Sequence, residues 1–215
     1  MENECNHEHQ AQKQRRGRGL SPAKTAETQT RIVKAAFQLF ISGGFEGTRM
    51  IDVAQQAGLG KGTLYRYYPT KEALFEGVLV QALGSTVQTL QNPNLEPTGS
   101  IEEILRQAIR PFMADLQKSH KADLLRLIIT EGPRFPSLVA VYQRVVLEPV
   151  LSAIQTLAKQ AKARGEIKSE ALIEYPMLML SPGLLSIIWN GLFLDRQLQP
   201  EALFDAFIEL IFVQS

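Results

Sequence analysis

Cys5 is the only cysteine in this chain of 215 residues. An internal disulfide is therefore excluded, and a reducing cytoplasm is the natural compartment. Histidine is almost as scarce. His120, beside Lys118 and Lys121, reads as a solvated surface residue. His7 and His9 join Cys5 on a polar tail, and three ligand types without folded surroundings do not make a structural metal site. No metal and no cofactor is expected. No run alternates apolar and polar residues between turn signals, so strands are not expected. Without strands there is no phosphate loop following one, and no nucleophile elbow is present. An enzyme is not the expected reading. The N-terminus lacks the apolar stretch of a signal peptide. Residues 175–194 run without a charge for the length of a membrane span. Pro176, Ser181, Pro182, Gly183, Asn190 and Gly191 interrupt that run. A helix apolar all round can equally be buried between protein surfaces, so no membrane partner is expected.

What is present is a soluble, all-α composition: 45% hydrophobic and 21% charged residues, with a net charge of +1. That small net charge hides an asymmetry. Residues 24–71 carry seven Lys/Arg against three Asp/Glu, and residues 72–215 carry twelve against sixteen. A basic head on an acidic body fits a DNA-facing unit and a body that does not touch DNA.

The pattern divides the chain into three parts. Residues 1–24 form a polar arm, made basic by Lys13, Arg15, Arg16, Arg18 and Lys24, and are expected to be disordered. Such an arm can reach DNA or simply remain solvated. Residues 25–71 read as a three-helix DNA-binding domain, and residues 72–215 as a helical regulatory and dimerisation domain. Helices are expected at about 26–43, at the two short segments around Gly58, at 71–91, 101–118, 121–132, 136–164, 169–194 with an interruption near Pro182, and from Pro200 onward. Residues 92–99 read as a loop.

Thr48 to Lys71, TRMIDVAQQAGLGKGTLYRYYPTK, is the most informative stretch. Thr48 has the chemistry of an N-cap. Met50, Val53, Ala54 and Ala57 share one helical face. Gly58 suits the left-handed turn that ends a helix. Leu64 and Tyr68 face inward. Lys61, Thr63, Tyr65, Arg66 and Tyr67 are left for the outward faces, with Gly62 among them. Basic, hydroxyl and aromatic side chains together suit a helix in the major groove of DNA. Thr70 can cap the next helix, which Lys71 opens.

Residues 30–79 resemble the DNA-binding domain of the TetR family of bacterial transcriptional regulators. The resemblance is carried by Ala35-Ala36-Phe37, Gly44-Phe45, Thr48, Val53-Ala54, Ala57-Gly58, Lys61-Gly62-Thr63-Leu64-Tyr65, Tyr67-Tyr68 and Lys71-Glu72-Ala73-Leu74-Phe75. Gly60 stands where the family often has serine, which removes one possible phosphate contact. The segment from Leu127 to Leu138 is similar to the AefR-like and AcrR-like group within that family.

The resemblance implies a homodimeric repressor that leaves a palindromic operator when a small apolar effector binds. An activator, or a regulator without a ligand, is the alternative on the same fold. An all-α enzyme or adaptor is the alternative from another class, and the basic residues at 61, 66 and 71 argue against it. The expected DNA contacts are Thr48, Lys61, Gly62, Thr63, Tyr65, Arg66, Tyr67 and Lys71. Arg66 is the candidate reader of a base, and Lys71 and Thr48 are candidates for phosphates. Candidate effector-site residues are Phe75, Phe112, Leu116, Tyr142, Met177 and Trp189, with Asn190 as a polar handle. Each alone is ordinary core content. Glu131 could pair with Arg134 or meet a polar ligand group. The expected dimer interface is Leu184, Ile187, Ile188, Phe204, Phe207 and Ile208.

Overall fold

The computed structural model describes residues 22–92 and 99–213, and among these there is no strand. Most of the expected basic arm lies outside them, including Cys5, His7 and His9. Residues 22–24 do not belong to an arm, because they open the first helix. That helix, α1 (Pro22–Gly47), is followed by α2 (Met50–Gln56), α3 (Lys61–Tyr67) and α4 (Lys71–Leu90). The body adds α5 (Ile101–Asp115), α6 (Lys121–Glu131), α7 (Pro136–Tyr142), a π-helical turn (Gln143–Leu147) and α8 (Glu148–Ala163). It closes with α9 (Ala171–Glu174), a 3-10 turn (Pro176–Leu180), α10 (Ser181–Leu192) and α11 (Pro200–Ile211).

The head is built around three phenylalanines. Helical geometry in α1 stops at Gly44, whose φ of 73° and ψ of 173° turn the chain back. Phe45 then stacks on Phe40 at 5.6 Å, and both meet Phe75 edge-on at 5.5 and 5.8 Å. Val53, Ala54 and Leu64 are buried in the same hydrophobic core. The left-handed turn at Gly58 has φ 65°. The Arg31 guanidinium covers it, donating to the Ala57 carbonyl at 2.6 Å.

Several terminations follow from local chemistry. The Thr70 hydroxyl accepts from the Ala73 amide and caps α4. Ser100 and Glu103 cap α5 reciprocally. Thr48 does not cap α2. Arg49 occupies that position, and the Thr48 hydroxyl turns backward to donate to the Gly44 carbonyl at 2.7 Å.

Two proline effects change the expected body. The helix expected over 136–164 is interrupted by the π-helical turn just before Pro149. Proline has no amide hydrogen and crowds the carbonyl four residues back, so the ladder loosens there. In the 169–194 run the interruption is longer than expected: it starts at Tyr175-Pro176, continues through the 3-10 turn, and ends beside Pro182 where α10 begins. Tyr175 takes the extended φ of −128° that a following proline favours. Pro182 sits in the first turn of α10, where a missing amide costs nothing. The run Pro136–Ala163 is long and apolar enough to cross a membrane by length and composition. In this fold it packs against α4 and α5.

Candidate DNA-binding face and ligand cavity

The outer face of α3 presents Lys61, Gly62, Tyr65 and Arg66 to solvent. Lys61 lies over the Tyr65 ring at 5.7 Å, and Arg66 over the Tyr67 ring at 5.5 Å. No carboxylate pairs with either cation among the described residues. A Cβ at Gly60 or Gly62 would meet nothing within 4 Å. Glycine inside a helix costs about 1 kcal/mol relative to alanine. Packing within the head therefore gives no reason for Gly62, and the space beside it is open.

Three expected DNA contacts sit differently. Thr48 is only 4% exposed, and its hydroxyl is used inside the domain. The Tyr67 hydroxyl is buried with no hydrogen-bond partner among the described residues. An orphan of that kind costs about 1–3 kcal/mol. The Lys71 ammonium is committed to the head itself. It donates to the carbonyls of Phe45, Glu46 and Thr48 at 2.7, 3.3 and 3.1 Å and lies 4.7 Å from the centre of the Phe45 ring. A lysine at the start of α4 thus holds the carbonyl end of α1. Lys71→Met is expected to lower the stability of the head by about 1.5–3 kcal/mol, the range for hydrogen bonds to a charged group. The salt dependence of DNA binding should stay unchanged. A phosphate contact would instead lower the slope by about one, and titrations at several salt concentrations separate the outcomes.

Glu131 also works on this segment. Its carboxylate accepts from the Phe45 amide at 2.9 Å and the Glu46 amide at 3.4 Å. Arg134 pairs with Glu46 at 2.8 Å, not with Glu131. A Cβ at Gly44 would run into the Glu131 carboxylate, so the turn needs glycine for space as well as for its positive φ. The Phe45-Glu46 peptide is therefore held on its carbonyl side by α4 and on its amide side by α6.

Both helices also line a cavity of about 270 Å³ in the body. Leu83, Thr86 and Val87 come from α4, and Leu125, Ile128 and Ile129 from α6. Helix α5 adds Phe112 and Met113, with Leu116 just past its end, α7 adds its last residue Tyr142, and the π-helical turn adds Val146 and Leu147. Of the expected effector-site residues, Phe112, Leu116 and Tyr142 are brought together here. The others are not. Phe75 is fully buried in the head cluster. Met177 is 48% exposed on the 3-10 turn. Trp189 donates to the Arg196 carbonyl at 2.7 Å. Asn190 exchanges two hydrogen bonds with the Leu198 backbone, at 2.9 and 2.7 Å. These two residues fasten the loop after α10.

The missed lining residues carried a weak signal. Thr86 and Val87 continue the apolar face of α4 beyond the part that serves the head. Pro149 marks the place where the backbone loosens and turns Val146 and Leu147 toward the cavity.

The expected interface residues also separate into two sets. Ile187, Phe204 and Ile208 are buried within the chain, at 3%, 0% and 0% exposure. Phe207 is half-buried. Leu184 and Ile188 remain exposed on α10, together with Leu185 and Leu192. These four fall on one helical face, opposite Gly183, Ser186, Ile187 and Asn190.

A helix-turn-helix with unpaired cations, joined through two helices to an apolar chamber, defines a DNA-binding regulator with a separate helical body. Residues 32–78 match the profile of bacterial regulatory proteins of the tetR family, and residues 95–211 match the tetracyclin repressor-like C-terminal domain. The chain belongs to the TetR family, and its relatives are transcriptional regulators, not enzymes. RutR of Escherichia coli K12 is 36% identical over 94 residues, which are 43% of this chain and 42% of RutR. The repressor KstR of Rhodococcus jostii RHA1 is 34% identical over 101 residues, 45% of this chain and 46% of KstR. These matches span less than half the length of either relative. Among solved structures, the flavonoid-responsive regulator FrrA is 27% identical and aligns with a TM-score of 0.61, over 86% of this chain and 95% of FrrA.

Proposed function

We propose that this protein is a cytoplasmic, homodimeric repressor that binds a palindromic operator and releases it when a small apolar molecule enters the body. The observation that carries this reading is the shared use of α4 and α6. Each lines the cavity, and each holds the Phe45-Glu46 peptide of the head, through Lys71 and Glu131. A ligand that favours one spacing of α4 and α6 would bias the orientation of the head. The affinity lost for DNA equals the difference in ligand binding to the two arrangements. The flavonoid response of FrrA and the repressor role of KstR support the same reading.

In this reading Arg66 reads a base, while Lys61, Thr63 and Tyr65 position the helix on phosphates, with Gly62 allowing close approach. Arg66→Ala is expected to cost about 1–3 kcal/mol on the operator and to relax preference at one base position. Binding titrations with operator variants and random duplex measure both. Equal losses on specific and random DNA would remove Arg66 from base readout. Transcription assays with and without the protein test repression itself, and activation of the promoter would overturn that part of the proposal.

A further inference from the structure

The cavity lining restricts the charge of its ligand. Apart from Tyr142, every residue around it lacks an ionisable group. Burial raises the Tyr142 phenol above its usual range, so it stays a neutral hydroxyl at physiological pH. The nearby cations Arg126, Lys121 and Arg144 are each paired with a carboxylate: Asp123 at 2.6 Å, Asp115 at 2.8 Å and Glu76 at 2.7 Å, respectively. Lys121 also lies over the ring of the lining residue Phe112 at 5.6 Å, and Arg126 reaches the Ile187 carbonyl at 3.4 Å. A charged ligand inside would have no unpaired counter-charge, and an isolated ion pays a heavy desolvation cost.

The polar capacity that does exist is small and defined. Thr86 and Tyr142 bring one hydroxyl each, and no hydrogen bond to either is found among the described residues. They stand on α4 and at the end of α7. Ile129, which is 47% exposed while lining the cavity, marks its rim. The volume of about 270 Å³ has room for on the order of ten non-hydrogen atoms, if each takes roughly the 30 Å³ of a liquid water.

We propose that the ligand class is an uncharged molecule of one fused ring system or a short chain, carrying a single hydroxyl or carbonyl that bonds Tyr142 and Thr86. This rests on reading the chamber as the effector site. Both hydroxyls can donate or accept, so the handle can be either kind. Carboxylates, phosphates and ammonium compounds of the same size are excluded by charge, not by shape.

A matched series tests this: naphthol, naphthalene, naphthoate and naphthylmethylammonium, titrated calorimetrically into the full-length protein at neutral pH. Naphthol should bind about tenfold or more tighter than either ion, as expected when an ion loses its hydration without compensation. Tyr142→Phe should bring naphthol close to naphthalene and leave naphthalene unchanged. Ile129→Trp, which plugs the rim, should abolish binding of both. Ions that bind as tightly as naphthol, and are displaced by the plug, would overturn the ligand class while leaving the cavity as a binding site. If nothing in the series binds, or if naphthol ignores both variants, the effector-cavity reading falls, and the ligand class with it.

Discussion

Replacing Phe75 with alanine is expected to cost the DNA-binding head about 3–5 kcal/mol, the range for removing a buried phenylalanine. The side chain is fully buried, and its ring meets both Phe40 and Phe45. Phe45 also touches Phe135 at 5.5 Å, so the cluster joins α1 and α4 to the segment between α6 and α7. Neither neighbour can close the gap freely. Phe45 is fixed on its backbone by Lys71 and Glu131, and Phe40 lies inside α1. A loss of that size is a large part of the ~5–15 kcal/mol that holds an ordinary domain folded. Operator binding should therefore vanish at temperatures where the body is still native. Trp189 is the only tryptophan and sits in the body, so its fluorescence reports that part alone. Binding of a cavity ligand should persist in the variant. The opposite pattern, a stable head with lost ligand binding, would return Phe75 to the effector site.

That residue shows where sequence reasoning ran out. Elements governed by neighbours in the chain were legible: the Gly58 turn, the Thr70 and Ser100 caps, the inward face of Val53, Ala54 and Leu64, and the outward face of Lys61, Tyr65 and Arg66. Each depends on contacts within a turn or two. Lys71 was not legible, because its carbonyl partners lie about 25 residues upstream. Glu131 was harder still, with its amide partners 86 and 85 residues away. Periodicity shows that a face is apolar but not what covers it. Phe75 and Leu83 share the apolar side of α4, yet one serves the head and the other the cavity. The same ambiguity assigned Ile187 and Ile188 together to an interface, although adjacent residues on a helix point about 100° apart.

That last distinction yields the sharpest pair of variants. Ile188→Glu should separate a dimer into folded monomers, while Phe204→Glu should unfold the body. Ile188 is 52% exposed, and Leu184, Leu185 and Leu192 continue its face along α10. Contiguous apolar surface of this kind on a soluble protein marks an interaction site. A glutamate at its centre remains hydrated in the monomer and costs the fold little. In a dimer it would be buried without a partner, at about 3–5 kcal/mol, the range for an uncompensated buried charge. Phe204 is different. It is fully buried on α11, which packs on α5 and is tied to it by the Arg106–Asp205 and Arg110–Asp205 pairs at 2.7 and 3.1 Å. A carboxylate there is buried in monomer and dimer alike. It would stand one position from Asp205, which already occupies both arginines. Sedimentation and circular dichroism distinguish the two: a lighter species with native helicity for Ile188→Glu, and lost helicity for Phe204→Glu. Operator affinity should fall in both. For Ile188→Glu it falls because a two-fold dimer reads two half-sites roughly 34–36 Å apart, and a monomer reads only one. Residual binding of that variant to a single half-site should match the wild-type head. An Ile188→Glu protein that still sediments as a dimer would move the interface away from the exposed face of α10.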